Sequence, residues 1–339
     1  MTTFAFVFPG QGAQAIGMLQ GFAGNAAVDA TIAEAGEVLG FDLGKLIADG
    51  PKEELDLTTN TQPVMLTASV AVYRAWIAAG GPPPALMAGH SLGEYSALVA
   101  AGVIAFKDAL PLVRFRAQAM QEAVPVGQGG MAVVLGLQAD AVRAVCAAAA
   151  AAHPGQVVEA VNFNEPTQIV IAGHNAAVER ACELAKEQGA KRAMKLAVSA
   201  PFHSSLLAPA SDRLRDYLKD VPFAAPRIDV VNNVDVRVLA DPDAIKDALV
   251  RQAAGAVRWV ESMQAFAAAG VTQVIESAPS KVLIGMAKRI DARLAGEALV
   301  DQAALERVIG SLSGSLSGSL SGSLSGAAGG APASGPGAA

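Results

Sequence analysis

Ser91 stands in Gly89-His90-Ser91-Leu92-Gly93, a G-x-S-x-G run that suits a serine used as a nucleophile. The chemistry asks for the glycines. A serine on a sharp strand-to-helix turn lifts its hydroxyl clear, and a side chain at either flanking glycine would collide with neighbouring backbone. A helix starting there also points unpaired N–H groups at the hydroxyl, so the N–H of Leu92 can bind an oxyanion. Taken alone the run is weak: roughly 0.2 chance matches are expected in a chain of this composition. Context strengthens it. Ala85 to Gly89 is a short apolar run after Pro82-Pro83-Pro84, Leu92 to Ala101 reads as helix with Gly102 as its stop, and no second match occurs. The bland alternative is a serine that caps a helix.

A serine nucleophile needs a base, and the chain has four histidines. His90 abuts Ser91, and neighbours on a sharp turn point apart, so it is a poor base. His153 ends an Ala-rich helix before Pro154, and His174 sits in the turn Ala172-Gly173-His174-Asn175. His203 lies in Ser199-Ala200-Pro201-Phe202-His203-Ser204, a loop, where catalytic groups concentrate. Composition does not separate a base from a structural histidine there. Nor does the interval between Ser91 and His203 supply an obvious orienting acid: its only aspartates, Asp108 and Asp140, look like helix-start residues. Arg116, on its own, reads more readily as a helix-surface arginine like Arg114 than as an anion partner.

These residues must be held by a frame. Thr3 to Phe8 reads as a buried strand stopped by Pro9-Gly10, and a glycine-rich loop follows to Gly17. Two or three helical segments run to about Gly80, then comes the strand, turn and helix around Ser91, an α/β pattern. The texture changes at Gly127-Gln128-Gly129-Gly130. Met131 to Leu137, Val157 to Val161, Gln168 to Ala172 and Ala193 to Val198 read as strands, with helices at Ala139 to Ala152 and Ala176 to Gln188. Strand–helix–strand–strand–helix–strand is the ferredoxin-like split unit. The expected architecture is a large α/β domain over 1–129 and 199–309 with a small ferredoxin-like subdomain inserted at 130–198. From Gly310 the repeated Gly-Ser-Leu-Ser and the Ala/Gly/Pro run that follows read as a flexible tail, 310–339.

Composition narrows the class. The 339 residues are 52% hydrophobic and carry net charge −6, with no long basic run and no zinc-like Cys/His spacing, which argues against a nucleic-acid partner. Cys146 and Cys182 are isolated and suit a reducing compartment. Met1 to Phe8 is too short and lacks the basic lead of a signal peptide, and Arg74 interrupts the apolar stretch beginning at Val64. A soluble, cytoplasmic protein with no membrane partner is expected.

Several motifs in order resemble the malonyl-CoA:acyl carrier protein transacylase family. They are Phe8-Pro9-Gly10-Gln11-Gly12-Ala13-Gln14, Gly89 to Tyr95, Met120 to Pro125, Asn162-Phe163-Asn164, Ala200-Pro201-Phe202-His203 and Val250-Arg251-Gln252. The resemblance runs from Thr3 to about Ile309 and implies a large α/β-hydrolase-like domain with the ferredoxin-like insertion. It implies Ser91 as acyl nucleophile and His203 as its base and then acid. The oxyanion hole would be the N–H groups of Gln11 and Leu92. Gln252 would orient the histidine through a carbonyl, which accounts for the absent acid. Asn162 and Asn164 would line the cleft, and Arg116 would grip the free carboxylate of a malonyl group with a two-pronged fork. Phe202 would crowd the α-carbon against methylmalonyl. No metal or redox cofactor is implied; the partners are malonyl-CoA and an acidic carrier protein, for which Lys191, Arg192 and Lys195 are candidate rim charges. Ser277-Ala278-Pro279-Ser280 departs from the glycines usual beside this proline. Rival readings are a hydrolase, a trans-acting polyketide-type acyltransferase, and a non-catalytic carrier-binding module.

Overall fold

The computed structural model describes residues 3–321. Among the described residues nine strands form two sheets. The larger holds β1 (Phe4–Phe8), β2 (Leu86–Gly89), β7 (Val230–Val231), β8 (Gln273–Glu276) and β9 (Ala295–Ala298) in the order β7-β2-β1-β8-β9, every pair parallel. β1 is central and apolar at every position, and all five of its residues are buried, as a strand covered on both faces requires. Phe6 packs edge-on against Tyr73 and Trp76 of the helix Thr58–Ala78. That helix is buried along most of its length. Its one charge, Arg74, is bound to Glu34 at 2.7 Å. Among the described residues no helix is long and apolar enough to cross a membrane.

The smaller sheet holds β3 (Gly129–Leu135), β4 (Val158–Glu165), β5 (Gln168–His174) and β6 (Arg192–Lys195), all antiparallel, in the order β4-β5-β3-β6. The helices Ala139–Ala152 and Asn175–Glu187 complete a ferredoxin-like unit. An apolar cluster of Met120, Met131, Val161, Val170, Phe202 and Leu207 fixes this sheet against the large domain, close to His203. Arg289 adds a bidentate pair to Glu165 on β4, at 2.8 and 2.5 Å.

The C-terminal helix corrects the expected start of the tail. It runs Gln302–Ser321, straight through Gly310. Leu305, Val308 and Leu312 fall on one face and are buried, so packing carries the helix past Gly310 as far as Leu312. The rest of the expected tail, 322–339, lies outside the described residues. At the departing loop, Ser277 is buried with its hydroxyl donating to the Ser69 carbonyl at 3.0 Å, and Ala278 sits in the core.

Candidate active site

β1 and β2 end side by side, Phe8 opposite Gly89, and the site opens at their carboxyl ends. The chain leaving β2 turns at Ser91 with φ +53°, a left-handed conformation rare outside glycine. The crowding there explains the flanking glycines. A methyl group on Gly89 would lie 1.9 Å from the Gly93 carbonyl oxygen, and one on Gly93 would lie 1.9 Å from that of Phe8. Such backbone strain costs on the order of 1–3 kcal/mol and needs a brace. Asn233, just past β7, supplies it. Its Oδ1 accepts from the Ser91 N–H at 2.8 Å and its Nδ2 donates to the Gly89 carbonyl at 2.7 Å.

The structure brings His203 to Ser91: Nε2 lies 2.7 Å from the serine Oγ. On the far side Nδ1 faces two backbone carbonyls, Gln252 at 2.9 Å and Gly255 at 3.2 Å. Carbonyls only accept, so Nδ1 carries the proton and Nε2 is left to take one from Ser91. No carboxylate is needed to fix that tautomer. Burial, and then the nearby charge of Arg116, push His203 down to about 3, against the pull of the two carbonyls. The sign is favourable for a base, because depression keeps the imidazole neutral. For any reaction that uses this imidazole as a base, the acid limb of kcat/KM is therefore expected well below pH 6, where an ordinary histidine would already be protonated. A stopped-flow pH profile checks this, and an acid limb near pH 6.5 would contradict it.

Arg116, on the helix Phe106–Glu122, is 2% exposed. Nη1 donates to Gln62 Oε1 at 2.9 Å, and Nη2 to Gln252 Oε1 at 2.9 Å and Ser91 Oγ at 3.2 Å. Nε is buried without a partner, and the guanidinium lies 5.3 Å over the Tyr95 ring. Among the described residues Arg116 makes no direct ion pair, so a full positive charge sits buried beside Ser91, held only by neutral groups. The side chain of Gln252 is fully buried and does not line the cleft. It acts on the site from behind, while its carbonyl orients His203.

Gly10 presses the loop Gly10–Gly12 onto the elbow, where a methyl group would lie 2.6 Å from the His90 carbonyl oxygen. Gln11 is pinned through Nε2 to Thr58 Oγ1 at 3.2 Å. Among the described residues the backbone N–H groups of Gln11 and Leu92 find no protein acceptor, as an oxyanion hole requires. A cleft of about 520 Å³ joins Gln11, Ser91, Leu92, Arg116, Asn162 and His203, with Met120, Met131, Val170, Val198 and Phe202 as its apolar walls. A larger groove of about 700 Å³ beside Tyr73 and Phe106 contains no serine, cysteine or histidine.

Other expected residues are placed differently. Asn162 lines the cleft, its Oδ1 buried without a partner, but Asn164 is turned away and holds His90 Nε2 at 2.7 Å. Lys191, Arg192 and Lys195 do not line the cleft, and Lys195 is paired with Glu179. Lys52 does line it, paired with Asp56. Glu94, Gln62 and Asn233 escape sequence reasoning. The only signal for Asn233 is an Asn-Asn pair directly after a short strand. Among the described residues no cluster of three or more His, Cys, Asp or Glu side chains is placed to hold a metal.

The acyl transferase domain family matches residues 5–320. The Salmonella typhimurium malonyl CoA-acyl carrier protein transacylase is 53% identical over 310 residues, 91% of this chain and 99% of that protein. Among solved structures, an acyl-carrier-protein S-malonyltransferase from Burkholderia pseudomallei is 66% identical with a TM-score of 0.89, covering 91% of this chain and 99% of that one. A malonyl-transacylase solved with its type II PKS acyl-carrier protein is 49% identical with a TM-score of 0.89, covering 91% and 100%. With likeness of this extent in both sequence and fold, around an elbow serine, a carbonyl-oriented histidine and a buried arginine, the chain belongs to the malonyl-CoA:acyl carrier protein transacylase family.

Proposed function

We propose that this chain moves a malonyl group from malonyl-CoA to the phosphopantetheine thiol of an acyl carrier protein by way of a malonyl ester on Ser91. The observation that carries the substrate is Arg116: a buried guanidinium with no carboxylate in contact, 3.2 Å from the nucleophile. A free carboxylate two bonds beyond the reacting carbonyl would complete it.

In the first half-reaction His203 Nε2 takes the Ser91 proton as Oγ attacks the thioester carbonyl. The negative charge that develops on the carbonyl oxygen falls to the N–H groups of Gln11 and Leu92. The imidazolium then gives its proton to the departing coenzyme A thiolate. In the second half-reaction His203 takes the proton of the carrier thiol, the thiolate attacks the ester carbonyl, and the proton returns to Ser91. Splitting the transfer lets one cleft serve two thiols in turn. Arg116 stays on the malonyl carboxylate throughout, Asn162 adds an amide to the cleft wall, and Phe202 narrows the space beside the acyl chain.

Intact mass spectrometry tests the reading. Malonyl-CoA is expected to add one malonyl group to the wild type and none to Ser91→Ala, and the adduct is expected to pass to an added holo carrier protein. An adduct lost equally fast to water with or without carrier would make the protein a hydrolase instead.

A further inference from the structure

Beneath the elbow lies a carboxylate that the transfer chemistry leaves unused. Glu94, second residue of the helix Gly93–Ala100, is 2% exposed. Its Oε2 accepts from the Gln252 side-chain amide at 2.9 Å and from the Asn233 backbone N–H at 3.0 Å. The other end of the same amide, Gln252 Oε1, accepts from Arg116 Nη2 at 2.9 Å. An amide has one accepting and one donating end, and here the accepting end meets the guanidinium while the donating end meets the carboxylate. Gln252 thus bridges two opposite buried charges. Through Asn233, the same cluster also reaches the N–H of Ser91.

We propose that Glu94 is the resting counter-charge of Arg116, acting through Gln252, and that it takes up a proton from solvent when a substrate carboxylate pairs with that guanidinium. The inference rests on the assignment of Arg116 to the malonyl carboxylate. Before substrate arrives the cluster holds one positive and one negative charge. A second carboxylate leaves an excess negative charge among buried groups, which a low-dielectric interior opposes. The incoming carboxylate holds the direct contact with Arg116 and stays ionised. Glu94 has only the indirect one and gives way. The step is Glu94–COO⁻ plus H⁺ to Glu94–COOH, with no bond made to substrate.

The surroundings favour it. Burial pushes Glu94 up to about 7, against the Gln252 amide, the Asn233 N–H and the attraction of Arg116, while Asp235 adds repulsion. Neutralising Arg116 removes one of the pulls that hold the carboxyl down, so its pKa climbs and protonation follows at neutral pH. Oε1 has no protein partner among the described residues and is the oxygen free to carry the proton. Glu94 also borders a cavity of about 10 Å³, room for roughly one water, beside Leu98 and Val230. The other groups facing the cluster are accounted for. Tyr95 is pushed up to about 12 by burial and stays neutral, and Asp235 is held by Arg251 at 2.8 and 2.7 Å. His90 is held by Asn164, and His203 is depressed partly by the charge of Arg116. The histidines are therefore the competing proton acceptors.

The test uses full-length Ser91→Ala, which binds malonyl-CoA without reacting, with acetyl-CoA as the control for the phosphates of coenzyme A. Calorimetry at pH 7.5 in buffers of different ionisation enthalpy is expected to show a net proton uptake, at most one per site, with malonyl-CoA and none with acetyl-CoA. The infrared difference spectrum should gain a protonated-carboxyl band, which no imidazole can give and which needs no second variant. Adding Glu94→Gln should abolish the uptake. It should also flatten the Kd between pH 6.5 and 8.5, where Ser91→Ala alone weakens about tenfold. Malonyl-CoA bound no tighter than acetyl-CoA would overturn the carboxylate site and this coupling together. Selective binding without uptake, without the carboxyl band, or with uptake surviving Glu94→Gln would overturn the coupling and leave the Arg116 assignment standing.

Discussion

Ser91→Ala is expected to lower kcat for malonyl transfer by about 10⁴–10⁶, and His203→Ala by a similar amount. The two losses should not add. Ser91 Oγ and His203 Nε2 share one hydrogen bond at 2.7 Å and act as a unit, so the double variant should be little worse than either single one. Residual turnover in all three would come from the Gln11 and Leu92 N–H groups and the binding cleft, which the substitutions leave in place. Steady-state transfer to holo carrier protein, followed by the appearance of malonyl-carrier, measures this. Fully additive losses would mean that His203 does something other than deprotonate Ser91, and the proton path drawn above would be wrong. Stability separates the sites further. Ser91 carries a left-handed φ that alanine tolerates no better, so Ser91→Ala gains nothing by relief of strain.

The parts of this site that were legible in the sequence are those whose constraints are local. The glycines around Ser91 are dictated by contacts within five residues and by the strand beside them, so the elbow could be read from spacing together with the apolar run before it and the helical run after it. The ferredoxin-like order was legible because its helices and strands keep clean periodicity. His203 was not separable from a structural histidine, because what suits it to act as a base is a pair of carbonyls about 50 residues further on. A backbone carbonyl leaves no residue-type signature. The family resemblance, rather than spacing, pointed to Gln252, and even then its fully buried side chain serves Arg116 and Glu94 instead of the cleft. Glu94 follows the elbow glycine in sequence, where an acidic residue reads as an ordinary favourable charge in a first helical turn. Only the fold shows that it points inward. The helix Phe106–Glu122 that carries Arg116 is obscured by Pro111 within it, and β9, Ala-Gly-Glu-Ala, has no β-forming residue and exists as an edge strand only because β8 pairs with it.

Arg116→Met is expected to cut kcat/KM for malonyl-CoA by about 10²–10³ while changing acetyl-CoA turnover far less, so that the preference between the two nearly disappears. The magnitude follows from the geometry. The guanidinium is buried, and a substrate carboxylate left there without its two-pronged partner loses roughly 3–5 kcal/mol. Lysine should not rescue the change, because a single ammonium cannot reproduce a planar guanidinium whose Nη1 and Nη2 also donate to Gln62 and Gln252. Folding should respond in the opposite direction. In the resting protein Arg116 has no direct carboxylate partner and one buried N–H unsatisfied, so replacing it with an apolar side chain of similar length should leave Tm unchanged or raise it. Glu94 would lose its counter-charge, but a carboxyl already raised by burial can protonate at little cost. Activity lost together with stability would mark Arg116 as a structural strut. Activity lost while stability is kept or gained means that the fold tolerates a buried charge at this position for the sake of the acid it receives, a stability–function trade-off confined to one side chain.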